Sequence, residues 1–207
     1  MMNYRIESFD IKAEFLREIV VFDLETTGFD PFHNEIIEIA AVRIRQGKLV
    51  PNECFLSLVK PKRKISWRIT EITGITDEMV KDAPSASLAL KNFCKFCGDS
   101  LLIAHNGHRF DMKFLEAACC RGRRGSREVD YLDSLHLSKI LWGKGRVKSH
   151  SLPSILSRLR VKPGKHQRHR AHGDAHLTAR SVVKLMSRIH KSKKGCEIKV
   201  YTGRIPI

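Results

Sequence analysis

Three β-rich segments in succession constrain this chain more than any other feature. "REIVVFDLE" is a short apolar run rich in β-branched residues, and "HNEIIEIAAVRIRQGKLVPNECFLSLVKP" continues in the same manner, broken at "RQGK". The pattern predicts strands at about 19–24, 35–45 and 52–59, joined as a meander. Helix and strand signals alternate from there on. The apolar positions of "LALKNFCKFCG" recur with helical spacing between the Pro84-Ser85 start signal and Gly98, and "SLLIAHN" reads as a buried strand. "FDMKFLEAACCRG" has helical periodicity and ends at a glycine, "EVDYLDS" is a short strand, and "SLHLSKILWG" is a further helix. "SHSLPSILSRLRV" opens on a serine cap with a proline in its first turn, which predicts a helix. A last helix runs from Gly173 to about His190 on Ala175, Ala179, Val182, Val183 and Met186. A meander followed by alternating helices and strands implies an α/β fold, with helices flanking a mixed β-sheet.

The 207 residues, 42% of them apolar, suffice for one ordinary core. We expect a lead-in over 1–17, one folded domain over 18–190 and a basic tail over 191–207, with no internal repeat. The amino terminus lacks a positive region followed by an apolar stretch, and no apolar run approaches the roughly 18 residues needed to span a bilayer. The expectation is a soluble, cytoplasmic protein with no membrane partner and with its six cysteines as reduced thiols. Charge is uneven. Residues 1–120 carry 16 basic against 17 acidic side chains, whereas residues 121–207 carry 22 against 5. All of the +16 excess therefore lies in the last two fifths. Such a field attracts polyanions, with nucleic acid ahead of an anionic membrane surface, although a solubilising surface would look the same.

The chemistry-bearing residues are carboxylates and histidines. Asp23 and Glu25 flank Leu24 in "VFDLETTG"; on a strand, residues two apart leave the same face, so both carboxylates point one way. Two anions side by side at the end of an apolar strand repel, and a cation relieves them. Hard oxygen ligands select Mg²⁺ or Mn²⁺ over zinc. Asp111 follows "LIAHNGHRF" at the start of a helix, and Asp174 stands behind Gly173 at the start of the last one; simple capping would also account for both. "KHQRHRAHGDAH" packs four histidines around Asp174 at spacings that would suit a transition metal, and Cys94 and Cys97 in "CKFC" raise the same alternative. The four acids account for more of the chain than zinc does, and buried thiols account for the cysteines.

In order and spacing, "FDLETTG", "AHNGHRFDMKFL" and "HRAHGDA" resemble the three motifs of the DnaQ-like 3′→5′ exonucleases of the DEDD superfamily, in their histidine-bearing form. "WRITEITGITDEM" is similar to the segment these enzymes carry between the first sheet and the second motif, so the resemblance spans about residues 18–188. Three residues separate "HN" from "FD" where many bacterial proofreading subunits and RNase T have two; in this the chain is similar to the animal three-prime repair exonucleases. The resemblance implies an RNase H-like fold and a pair of Mg²⁺ or Mn²⁺ ions, with Asp23 bridging them and Glu25, Asp111 and Asp174 completing their coordination. It makes His169 the general base, a role suited to a side chain that ordinarily titrates near neutrality, with His166, His172 and His176 as loop or helix-surface residues.

It also implies contacts to the 3′-terminal nucleotide from Thr26, Thr27 and Gly28, with Leu24 and Ile75 suited to stacking or wedging at the base; core packing is the alternative for Ile75. His105 and Asn106 are expected to brace the second motif. The backbone upstream would be held by Arg121, Arg123, Arg124, Arg127, Lys162, Lys165, Arg168 and Arg170. The implied activity is removal of nucleotides from 3′ ends, single-stranded DNA preferred, in proofreading or repair. The alternatives are an RNase T-like exoribonuclease and a non-catalytic nucleic-acid-binding module. A DNA polymerase subunit or a second copy of the chain would be the protein partner.

Overall fold

The computed structural model describes residues 4–9, 17–121, 125–143, 145–163, 169–192 and 196–207. The expected meander is present as β2 (Ile19–Thr26), β3 (Ile36–Arg45) and β4 (Lys48–Leu58), antiparallel throughout. Two short helices follow, α1 (Trp67–Thr73) and α2 (Asp77–Val80), then α3 (Ala86–Cys97), whose N-cap Ser85 accepts a hydrogen bond from the Leu88 amide. The chain continues as β5 (Leu101–Ala104), α4 (Asp111–Arg121), β6 (Ser126–Asp133), α5 (Ser134–Trp142), α6 (Leu152–Leu159) and α7 (Ala171–Lys191). Two strands sit at the ends of the chain, β1 (Tyr4–Phe9) and β7 (Cys196–Pro206). Among the described residues they complete a seven-stranded mixed sheet in the order β1-β7-β6-β5-β2-β3-β4, with β5 parallel to both β2 and β6. This is the RNase H-like arrangement.

β2 lies inside the sheet, between β3 and β5, and side-chain alternation splits it between two cores. Ile19 and Val21 join the helix faces of α6 and α7 through Ile155, Leu159, Leu177 and Val182. Val20, Phe22 and Leu24 pack on the opposite side with Phe93 of α3 and Phe114 of α4. Asp23 and Glu25 continue the Ile19–Val21 series, so the alternation that buries Phe22 delivers both carboxylates to the α7 side.

The tail expected over 191–207 is corrected: residues 196–206 form β7, paired with β6 on one side and β1 on the other. Ile198, Val200, Tyr201 and Ile205 of β7 are all buried, so the segment belongs to the domain's core. β1 likewise turns part of the lead-in into sheet. The helices α1 and α2 were not expected; Gly74, at φ 71°, ends α1, and Thr76 caps α2. The basic loop expected around "KPGKHQRHRAH" lies outside the described residues from 164 to 168. No helix among the described residues is long and apolar enough to cross a membrane. Cys54, Cys94, Cys97, Cys119 and Cys120 are free thiols.

Candidate active site

β2 outruns β5, whose ladder with it ends at Val21–Ile103. Past that point the Leu24 amide donates to Asp111 Oδ1 at 3.1 Å. Asp111 thus abuts the strand between Asp23 and Glu25, held there by the first turn of α4. Gly107 makes this turn possible, because a Cβ there would overlap the Ala104 side chain. From the other side α7 presents Asp174 in its first turn, and ligand oxygens of Asp23, Glu25 and Asp174 all lie within 4.8 Å of one another.

The electrostatics are those of an anion cluster with restricted access to water: Asp111 and Asp174 are buried, and Asp23 and Glu25 are half-buried. Burial, then Asp111, Glu25, Asp174 and Glu38, holds Asp23 well above the usual carboxylate range. Burial and the charges of Asp174, Glu38 and Asp111 push Glu25 up to about 8, with Arg170 pulling the other way. Burial raises Asp111 to about 7, although its own amide and that of Leu24 favour the charged form. Groups this close cannot all ionise without a compensating charge, and oxygen donors in this number fit hard divalent cations. The donor set therefore fits the ions implied by the sequence. Among the described residues no histidine or cysteine belongs to such a group; His172 and His176 pack edge-to-face at 4.6 Å on α7.

His169 is exposed, in the turn leading into α7. Its backbone is left-handed, φ 60°, and its amide donates to Asp174 Oδ2 at 3.1 Å. The next two residues are tied to β3. Arg170 Nε reaches both Glu38 oxygens at 3.2 Å, Arg170 Nη2 donates to Glu38 Oε1 at 2.5 Å, and the Ala171 amide donates to Glu38 Oε2 at 2.8 Å.

Beyond β2 the chain folds back on itself. Thr26 Oγ1 donates to the Gly28 carbonyl at 2.6 Å, and Thr27 Oγ1 accepts from the Glu35 amide at 2.9 Å. Leu24 and Ile75 do not present a face to a base: they are 4% and 0% exposed, and Ile75 packs with Ile37, Ile65 and Val80. Burial corrects that expectation. His105 Nδ1 meets Ser134 Oγ at 2.9 Å, and the amides of Asn106, His108 and Leu135 all donate to the buried Asp133.

Three basic residues expected on the nucleic-acid backbone bond to other parts of the protein. Arg170 is clamped to Glu38, and Arg127 bonds to Asp99, to Cys94 Sγ and to the Gly98 carbonyl. Arg121 reaches the Pro31 carbonyl at 2.7 Å. Arg123, Arg124, Lys165, Arg168 and His166 lie outside the described residues. Glu38 and Asp133 were not anticipated. A glutamate within the apolar run "IIEIAAV" was the available signal for the first.

Known proteins share this fold. The family model for RNase T-type nucleases, described as "Exonuclease", matches residues 20–182. The chain belongs to this family, the DnaQ-like exonucleases of the DEDD superfamily in their histidine-bearing form. It is 40% identical over 172 residues to "DNA polymerase III PolC-type" of Thermotoga petrophila, and 34% identical over 168 residues to the protein of the same name in Bacillus subtilis strain 168. Those matches take in 83% and 81% of this chain but 12% and 11% of the relatives, so the chain spans a small part of their length. Among solved structures, Exonuclease X in complex with 5′ overhanging duplex DNA matches with a TM-score of 0.64 and 25% identity, over 86% of this chain and 95% of that one. The nuclease domain of 3′hExo, a DEDDh family member bound to rAMP, shares the fold with a TM-score of 0.72 at 21% identity, over 89% and 96% of the two chains.

Proposed function

We propose that the chain hydrolyses phosphodiester bonds from the 3′ end of DNA, single strands preferred, using two divalent cations held by Asp23, Glu25, Asp111 and Asp174. The observation that carries this reading is the convergence, from β2, α4 and α7, of acids that are far apart in sequence and that burial forces into mutual repulsion. When bound, Mg²⁺ or Mn²⁺ would supply Lewis-acid activation of the attacking water and offset the charge that builds on phosphorus and the leaving oxygen. The protein's own part is positional. The acids hold fixed places on packed elements, and an imidazole nitrogen of His169 takes the proton from the attacking water. Thr26, Thr27 and Gly28 border the terminal nucleotide. DNA is favoured over RNA because the relatives with the highest identities quoted above are DNA polymerases, which also makes a polymerase the natural partner and proofreading the natural context.

The test is digestion of 5′-end-labelled single-stranded DNA, duplex DNA and RNA in parallel, with Mg²⁺, Mn²⁺ or EDTA. The reading predicts a descending ladder from the 3′ end, fastest on single-stranded DNA and abolished by EDTA. A ladder on RNA alone would move the assignment to an exoribonuclease. Absence of cleavage on all three would leave a nucleic-acid-binding module.

A further inference from the structure

We infer that Glu38 is a positioning residue, whose carboxylate fixes, through Arg170 and the Ala171 amide, the turn that carries His169. The inference rests on the reading of His169 as the base. Glu38 is 0% exposed, sits on β3 directly across the ladder from Glu25, and spends both oxygens on the segment entering α7. A carboxylate in this place is poorly explained by stability. Breaking into a buried ion pair is costly, but replacing a whole pair with apolar residues is often neutral or better, so such pairs are weak evidence for a stabilising role. Here the charge also adds to the negative field around Asp23 and Glu25.

What the carboxylate does achieve is geometric. Three consecutive residues are pinned: His169 by its amide to Asp174, Arg170 by its guanidinium to Glu38, and Ala171 by its amide to Glu38. His169 is held in the left-handed region, which a residue with a Cβ occupies only when its surroundings over-determine it. The planar guanidinium fork, bonded through Nε and Nη2, sets the direction of the chain immediately after His169. With the fork released, the turn can relax and shift the exposed imidazole, while Asp23, Glu25 and Asp111 stay on elements to which the Glu38 side chain makes no hydrogen bond.

Two substitutions probe this. Glu38→Gln keeps the shape but turns an amide nitrogen toward at least one of the three N–H groups it now accepts from, Arg170 Nε and Nη2 and the Ala171 amide; Arg170→Lys keeps the charge and removes the fork. Arg170 is part-exposed, so the second variant carries the test even if the first folds poorly. Each is expected to lower kcat about 10- to 100-fold, the scale of a misplacement of about 1 Å, with KM changed less than about twofold. The deciding measurement repeats each change in a His169→Ala background. A residue that acts through His169 costs nothing further once the imidazole is gone. Equal kcat in His169→Ala and in the double variants is the predicted result. If the double variants fall again by the full single-variant factor, Glu38 acts elsewhere and the inference is overturned. If His169→Ala is itself fully active, the base assignment fails first and the inference falls with it, a different signature. Faster amide exchange at Ala171 in either single variant is the expected structural companion, and unchanged exchange would count against the clamp.

Discussion

The acids and the imidazole are set up in opposite ways. Asp23, Asp111 and Asp174 sit on a buried strand and in the first turns of two packed helices, with their surroundings dictated by the same alternation that builds the core. His169 is exposed, in a left-handed turn, and is placed by hydrogen bonds to its backbone and its neighbours. One half of the proposed site is a by-product of folding, and the other is hung on it by polar tethers. The acids should therefore be insensitive to small local changes, and the imidazole should not.

The largest expected effect tests the built-in half. Asp23→Ala or Asp174→Ala should abolish divalent-dependent nucleotide release while the thermal transition stays cooperative; full activity in either would remove the acids from the chemistry. His169→Ala comes next. It should lower kcat by about 10²–10⁴-fold, the usual span for a lost general base. Stabilisation by Mg²⁺ should persist in that variant, which would sharpen the division between the halves; loss of it would blur the division.

Ile198→Ala asks whether β7 belongs to the domain. At 1% exposure it should cost about 2–5 kcal/mol in denaturant unfolding, as buried aliphatic truncations do, whereas a residue in a loose tail would change stability by less than about 0.5 kcal/mol. The smallest effect is the pH dependence of metal stabilisation. Glu25 and Asp111 titrate in the folded protein at about 8 and about 7, above their unfolded values. Their contribution to stability is then full below the ordinary carboxylate range and is lost as pH rises through 7 to 8. Without metal, stability should fall over that window. Saturating Mg²⁺ should restore about 1–3 kcal/mol, more at pH 8 than at pH 6, where protons compete. An equal or larger gain at pH 6 would contradict the sign.

The same contrast explains what the sequence shows of itself. β2 to β4, α3, β5, α4, β6 and α5 to α7 are legible because strand alternation or helical periodicity is strong in each, and "DLE" displays two carboxylates on one face by local geometry alone. α1 and α2 are too short for a periodic stripe, at seven and four residues. β7 hides behind lysines, and its strand character depends on partners in β6 and β1 that are distant in the chain. Arg170 reads as one more cation in a basic run, and Glu38 as an oddity in an apolar one. Their pairing spans 132 positions and is a product of the fold. Ile75 and Leu24 show the reverse case, where a plausible contact surface is used up by packing.

The most direct test of the account is calorimetric titration of Mn²⁺ into the wild-type protein and into Asp23→Ala at pH 7.5, in two buffers of different ionisation enthalpy. Saturable binding of two ions, with proton release as Glu25 and Asp111 give up their protons, and loss of that binding in Asp23→Ala, is the predicted result. Identical titrations of the two proteins, or binding without proton release, would contradict it.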